Sequence, residues 1–130
     1  MSRVTLDNCR YNVAHVTIAH PSQLRTALAA DFGKSKTNKI STIAKNNNAV
    51  VAIGGDYYSD RKNGYVVRQG ETYRTKLAKT LDILFICDKG DFHIIKSSNA
   101  DELKAVLEGG CTPVNVFNFG PALVIDGEVQ

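Results

Sequence analysis

The sequence predicts an α+β fold, a mixed and largely antiparallel sheet with about three short helices, and three observations carry that reading. Runs of branched and aromatic residues are folded about turn dipeptides, the pattern of strands that return on their neighbours. Other segments place apolar residues at helical spacing behind a capping residue. The order of these segments does not follow the regular strand–helix alternation of a parallel design.

"YNVAHVTIAH", Tyr11 to His20, is rich in branched residues in alternation and reads as a strand with one face covered, His15 and His20 on opposite faces. Pro21 and Ser22 end it. "SQLRTALAA" then puts Leu24, Ala27 and Leu28 on one side behind Ser22 as N-cap, a short amphipathic helix. "DFGKSKTNK" is polar and without period, hence a loop whose lysines suit solvent better than a bound anion. "ISTIAKNNN" is a second short helix with Ile40, Ile43 and Ala44 inward. "AVVAI", Ala49 to Ile53, is too uniformly apolar for a strand with one wet face, so a central strand covered on both faces is expected.

"GYVVRQGETYR" is a hairpin turning at Gln69-Gly70, and "DILFICDKGDFHIIK" is a second one about Asp88-Lys89-Gly90. "SNADELKAVLEGG" carries cap residues at Ser98 and Asn99, acids in its first turn, Leu103, Val106 and Leu107 inward, and Gly109-Gly110 as its stop. "PVNVFNFGPALVIDGEVQ" has strand-like residues on both sides of Gly120-Pro121 and a hairpin dipeptide at Asp126-Gly127. Only Glu128, Val129 and Gln130 follow that turn, fewer than the about five residues of a typical strand. The expectation is a hairpin cut short and an incomplete domain.

The totals limit the function classes. One domain of 130 residues with 43% hydrophobic and 22% charged content can bury a core. A net charge of +3, with Lys and Arg scattered among carboxylates, argues against nucleic acid as partner. No run of about 20 apolar residues is present to form a membrane segment. Cys9, Cys87 and Cys111 have no metal-binding spacing, and mostly free thiols are expected, with Cys87 a reduced residue buried at the end of "DILFIC". His15 and His20 lie on opposite faces of one strand and His93 lies far along the chain, none with partner spacing, which points to no metal site and no cofactor.

The richest chemistry lies in "AIGGDYYSDRKNGYVVR". Gly54 and Gly55 permit a tight turn or a close backbone approach to a ligand. Asp56 suits general acid–base work, a ligand-hydroxyl acceptor or an Asx turn. Tyr57 and Tyr58 point apart if extended, one toward the core and one offering a ring face. Arg61, Arg68 and Arg74 suit phosphate, whose oxygens their planar donors match, or plain solubility.

Three segments in order, "PSQLRTALAADFG", "STIAKNNNAVVAIGGDYYSDRKNGYVVRQGETYR" and "VFNFGPALVIDGEV", together resemble the phosphodiester glycosidase domain family, which includes bacterial exopolysaccharide-biosynthesis-type members. The resemblance spans nearly the whole chain. The family's domain continues past the segment matched by Phe119 to Gly127, so residues 1–130 are expected to be its N-terminal half. The family's Asn stands where this chain has Gly54.

The resemblance implies hydrolysis of a sugar-1-phosphodiester, releasing the sugar and leaving a phosphomonoester, in an extracytoplasmic setting. It implies Asp56 as one catalytic carboxylate and substrate contacts from Ser41, Gly54, Gly55, Tyr57, Tyr58, Arg61, Arg68 and Gly120. The partners implied are a phosphorylated glycan and the missing half of the domain or a partner chain. The alternative is a module that binds phosphate-containing cell-wall or exopolysaccharide glycans without cleaving them.

Overall fold

The computed structural model describes residues 1–130. In chain order its elements are β1 (Ser2–Leu6), β2 (Cys9–Val13), α1 (Ile40–Asn46), β3 (Val66–Arg68), β4 (Glu71–Arg74), β5 (Asp82–Cys87), β6 (Phe92–Ile95), α2 (Ala100–Glu108), β7 (Pro113–Phe119), β8 (Val124–Ile125) and β9 (Glu128–Val129). Five strands form the main sheet in the order β4-β3-β7-β5-β6, each neighbouring pair antiparallel. The ribbons β1–β2 and β8–β9 make separate two-stranded sheets. The α+β class and the antiparallel character hold, with two α-helices instead of about three.

Local sequence explains the ribbons. Gln69-Gly70 has φ of 53° and 81°, and Asp126-Gly127 has 51° and 83°, the left-handed pair that matches the twist of a two-residue hairpin. Asp7-Asn8, at 49° and 62°, makes the same turn between β1 and β2, a ribbon the strand reading of Tyr11–His20 did not include. Regular pairing there ends at Val13.

The core lies on one face of the main sheet. Ile83, Phe85 and Cys87 alternate along β5, and Val67, Val116 and Ile95 join them from β3, β7 and β6. Helix α2 covers that face with Leu103, Val106 and Leu107. Its start is fixed by Asn99, whose Oδ1 accepts from the amides of Asp101 and Glu102 at 3.0 and 3.2 Å. Each aliphatic side chain buried there contributes about 1.5–3 kcal/mol.

Beyond the helix stop, Cys111 meets Cys87 in a disulfide with Cα atoms 5.4 Å apart, so the expected reduced Cys87 is corrected and only Cys9 is a free thiol. The bridge ties the end of α2 to β5 across a separation of 24 residues.

Three further expectations are corrected. The segment after Pro21 forms only a 3-10 turn over Pro21–Gln23, capped by the His20 ring and not by Ser22. Its continuation is held by long-range polar contacts: Thr26 Oγ1 donates to Asn115 Oδ1 at 2.6 Å, and the Thr26 amide to Gln69 Oε1 at 3.4 Å. An α-helix would need that amide for its own ladder. The central strand is β7, not "AVVAI": β7 is the middle one of the five, with two strands on either side, whereas "AVVAI" joins no sheet. Residues 50–56 take part in no backbone–backbone hydrogen bond, and Val50 and Ile53 are 100% and 87% exposed. Finally, Ile40 opens α1 exposed, while Ile43 and Ala44 are half-buried.

Burial is lopsided. No apolar residue among residues 1–63 is buried, and 14 of 130 residues are buried in all. The accessible surface of 9630 Å² exceeds by about 2,900 Å² what a folded monomer of 14.2 kDa exposes on average.

Closing the loop between Cys87 and Cys111 restricts the unfolded chain by about 3.4 kcal/mol for a 24-residue separation. In urea denaturation without reductant, Cys111→Ser is expected to lose about that much stability. With a thiol reductant and a metal chelator present, the difference from the parent chain should disappear.

Candidate functional site

The sheet face opposite α2 carries the side chains that alternate with the core residues: Val66 and Arg68 on β3, Leu84 and Ile86 on β5, and Asn115 and Phe117 on β7. An arginine in the middle of this row must have a counter-charge. The loop after Ile53 supplies it.

Arg68 Nη2 donates to Asp56 Oδ1, and the two side chains are only 5% and 2% exposed. Arg68 Nη1 donates to the carbonyls of Val67, at 2.9 Å, and Val116. Its guanidinium lies 4.5 Å over the Phe117 ring and 5.5 Å from the centre of Tyr58. Asp56 Oδ2 accepts the Asn118 amide at 2.9 Å, so both carboxylate oxygens are used. The loop is thereby pinned to β3 and β7 at once.

A second layer of arginines holds the rest of the loop. Arg74 donates through Nε to the Gly64 carbonyl at 2.9 Å, through Nη1 to that of Arg61 at 2.6 Å, and through Nη2 to that of Tyr58 at 3.1 Å. Burial lowers the pKa of Arg74, Asp56 opposes that, and the charge of Arg68 adds to it. Arg61 Nη1 donates to the Asn118 carbonyl at 3.2 Å. Asn118 completes the knot, its Oδ1 accepting the Tyr65 amide at 2.9 Å and its Nδ2 donating to the Tyr65 carbonyl at 2.5 Å. Gly64, with φ +109°, passes so close that a Cβ would lie 3.1 Å from Asn118 Cγ.

Aromatic rings line the edge of this network. Phe32 stacks on Tyr58 at 5.6 Å and on Tyr73 at 4.7 Å. Tyr73 donates to Glu71 Oε2 at 2.7 Å, and that hydrogen bond raises its pKa. Leu28, Ala30 and Asp31 join Phe32 and Tyr73 around an open hollow of about 490 Å³. Tyr57 turns the other way, 62% exposed, with its ring edge-on to Phe119 at 6.2 Å.

The sequence-derived set is largely brought together. Arg68 meets both Asp56 and the Tyr58 ring, Arg61 reaches the same cluster through Asn118, and Tyr57 stands beside Phe119 and hence Gly120. Gly55 backs onto the Phe117 ring, and Gly54 onto Ile40 at the start of α1, next to the exposed Ser41. The geometry changes what several of these can do. Asp56 and Arg68 neutralise each other in a dry setting, and Arg74 is spent on backbone carbonyls. Neither Gly54 nor Gly55 has a left-handed φ, so the turn itself does not require glycine at either position. The close approach allowed by Gly120 is to the chain's own backbone: a Cβ there would lie 3.1 Å from the Asp82 amide nitrogen. Asp82 in turn accepts the amides of Ser97 at 2.8 Å and Ala122 at 2.7 Å.

Two features were missed in the sequence. Asn118 looked like an ordinary strand residue, although an amide side chain within an apolar alternation is a signal of a buried polar contact. Cys87, His93 and Cys111 converge, with ligand atoms all within 4.8 Å of one another, which revises the reading of His93 as partnerless. The hairpin register aligns Cys87 with His93, and the chain after α2 brings Cys111 to them. No helix is long and apolar enough to cross a membrane. No protein-family model matches the chain, and no curated protein or solved structure is significantly similar to it.

Removing one partner of a buried ion pair strands the other, at a cost of about 3–5 kcal/mol. Arg68→Met is expected to lose that much in urea denaturation, and the double variant Asp56→Leu with Arg68→Met to regain a large part of it. Arg68→Lys should rescue poorly, because an ammonium cannot reach Asp56 and two carbonyls in the planar fork that Arg68 uses.

Proposed function

We propose that this chain forms the substrate-holding wall of a hydrolase for sugar-1-phosphodiesters, of the phosphodiester glycosidase type. The observation that carries the reading is the meeting of Asp56 with Arg68 and Asn118. The "GGDYY" loop, the strand after it and the "VFNFG" strand, the parts that bear the resemblance, are knotted into one site by a single carboxylate. Segments 62 residues apart have no reason to share a carboxylate unless the fold uses them together.

Each residue has a distinct task in this reading. Tyr57, exposed and braced by Phe119, offers a ring face to the sugar. Arg61, which spends one donor on the Asn118 carbonyl and stays half-exposed, meets the phosphate with its remaining N–H groups. Ser41 adds a hydroxyl from the first turn of α1. Asp56 and Arg68 do not touch substrate; they are positioning residues that keep Tyr57, Tyr58 and Arg61 on the wall. Cleavage requires stabilisation of charge at the anomeric carbon by a carboxylate with access to it. Asp56 is closed to that role, so the reacting carboxylates come from a complementary surface.

The apolar side chains of residues 50–57 and 119–129 are the seat for that surface, and the backbone of residues 50–56 has its hydrogen-bonding groups open for a strand. The excess of exposed area on this one chain is several times the roughly 800 Å² per partner of a standard interface, on the scale of an extensive, obligate one. The Cys87–Cys111 disulfide is compatible with an extracytoplasmic setting. A second reading, glycan-phosphate binding without cleavage, is favoured by the complete engagement of both Asp56 oxygens.

Calorimetric titration with a methyl diester of N-acetylglucosamine-1-phosphate tests the wall. Arg61→Ala is expected to weaken binding by roughly ten- to a hundredfold, the worth of about 1.5–3 kcal/mol for a hydrogen bond to a charged group. Tyr57→Ala should weaken it by a smaller factor without loss of stability. Undiminished affinity in both variants, or no affinity in the parent, refutes the proposal. Gly54→Asn has room, with Ile40 Cδ1 at 3.6 Å from the added Cβ, and is expected to fold within about 0.5 kcal/mol of the parent. Release of free sugar from the diester, by the parent or this variant with its complementary surface present, separates the hydrolase from the binding module.

A further inference from the structure

The corner where the β5–β6 hairpin meets the end of α2 lies on the other face of the sheet from the loop network. Along β5, Cys87 follows Phe85 by two residues and so points to the same core face. On β6, His93 is directly opposite Phe85, which puts the imidazole on that face too, diagonal to Cys87. Gly109-Gly110 ends α2, and the amide of Cys111 donates to the Val106 carbonyl at 3.3 Å, returning the chain to β5 with its sulfur toward the same point. Three ligand atoms therefore converge within 4.8 Å of one another, two from paired strands and one from the turn after α2, all half-buried or buried.

Two sulfurs and one imidazole nitrogen are the donor set of a thiophilic divalent metal. Tetrahedral coordination at about 2.3 Å to sulfur and about 2.0–2.1 Å to nitrogen spaces such ligands by less than 4 Å, so the observed spread needs only small side-chain adjustments. The fourth direction is open. A groove of about 510 Å³ borders the three residues, lined also by Asp88, Asp91 and Lys89, the two carboxylates outweighing the one ammonium. Water has access there and a cation is not repelled.

We propose that, when the Cys87–Cys111 bridge is reduced, Cys87, His93 and Cys111 bind one zinc-class ion with water as the fourth ligand. The same two cysteines then fasten α2 to the sheet in either redox state. The chemistry is balanced by a thiol or dithiol reductant: two electrons and two protons convert the disulfide to two thiols while the reductant becomes a disulfide. Binding of the divalent ion then releases two protons to solvent as both sulfurs become thiolates. With the bridge intact neither sulfur is a thiolate, and the site is closed to metal.

Cobalt(II) is the probe, added to the full chain with and without prior reduction under anaerobic conditions. The reduced chain is expected to take up one cobalt per molecule with a thiolate-to-cobalt charge-transfer band and the d–d absorption of a tetrahedral ion, and the oxidised chain none. Zinc should displace the cobalt. His93→Ala should bind at least about tenfold more weakly, since even the outer partners of a metal ligand are worth that much, and Cys111→Ser should lose the two-thiolate band. Cys9→Ser should leave uptake unchanged. No band in the reduced parent, folded or not, overturns the proposal. So does equal affinity in both His93→Ala and His93→Gln, or a band that depends on Cys9.

Discussion

The Asp56–Arg68 ion pair is the constraint on which the arrangement of this protein depends. Arg68 carries its guanidinium charge on β3, beside the middle strand, so the sheet face it occupies can be dry only if a negative group is delivered to it. Delivering Asp56 fixes the path of the loop, and its second oxygen fixes the Asn118 amide of β7. Buried charges seldom stabilise by themselves, because desolvation consumes most of the Coulombic gain. Their effect here is specificity: few other placements of the loop let one carboxylate meet a guanidinium and a backbone amide while the same guanidinium satisfies two carbonyls.

From that knot the structure grows less constrained in both chain directions. The main sheet contains nearly all of the buried apolar side chains, with α2 packed on it, whereas residues 1–63 form an apron of ribbons, turns and one short helix with no buried apolar residue. What holds the apron are polar contacts such as Thr26 to Asn115 and aromatic stacking of Phe32 between two tyrosines. Such contacts contribute individually about 0.5–1.5 kcal/mol. They position the segment without burying its apolar residues, and a covering surface therefore has both area and unpaired backbone to engage.

The two faces of the sheet thus have different kinds of fastening. On the loop face the fastening is electrostatic and built from residues whose types already suggested phosphate. On the helix face it is covalent in the oxidised protein and rests on cysteines that the sequence presented as unrelated. Asn115, fully buried with its Nδ2 unpaired, lies on the loop face, where its Oδ1 joins Thr26 and Gln69. That one orphaned donor is a place where the packing of the apron on the sheet is incomplete.

What the sequence determined by itself was local. The hairpins at Gln69-Gly70, Asp88-Lys89-Gly90 and Asp126-Gly127 and the helix after Asn99 were legible because turn conformation and caps are set by a few adjacent residues. The candidate loop was legible through residue type, and most of its members do meet. What only the tertiary structure decided was partnership. "AVVAI" reads as a central strand because it is apolar, but a strand is central only through its partners; "AVVAI" has none, and β7 is the middle strand of the five. The segment after Pro21 has helical spacing, yet long-range bonds to Thr26 claim its backbone. Asp56 and Arg68 look like free functional groups until the fold brings them within reach of each other, and Cys87 looks like a lone thiol until α2 turns Cys111 onto it. In each case the deciding energy belongs to a pair of residues distant in sequence, and periodicity and propensity contain no information about such pairs.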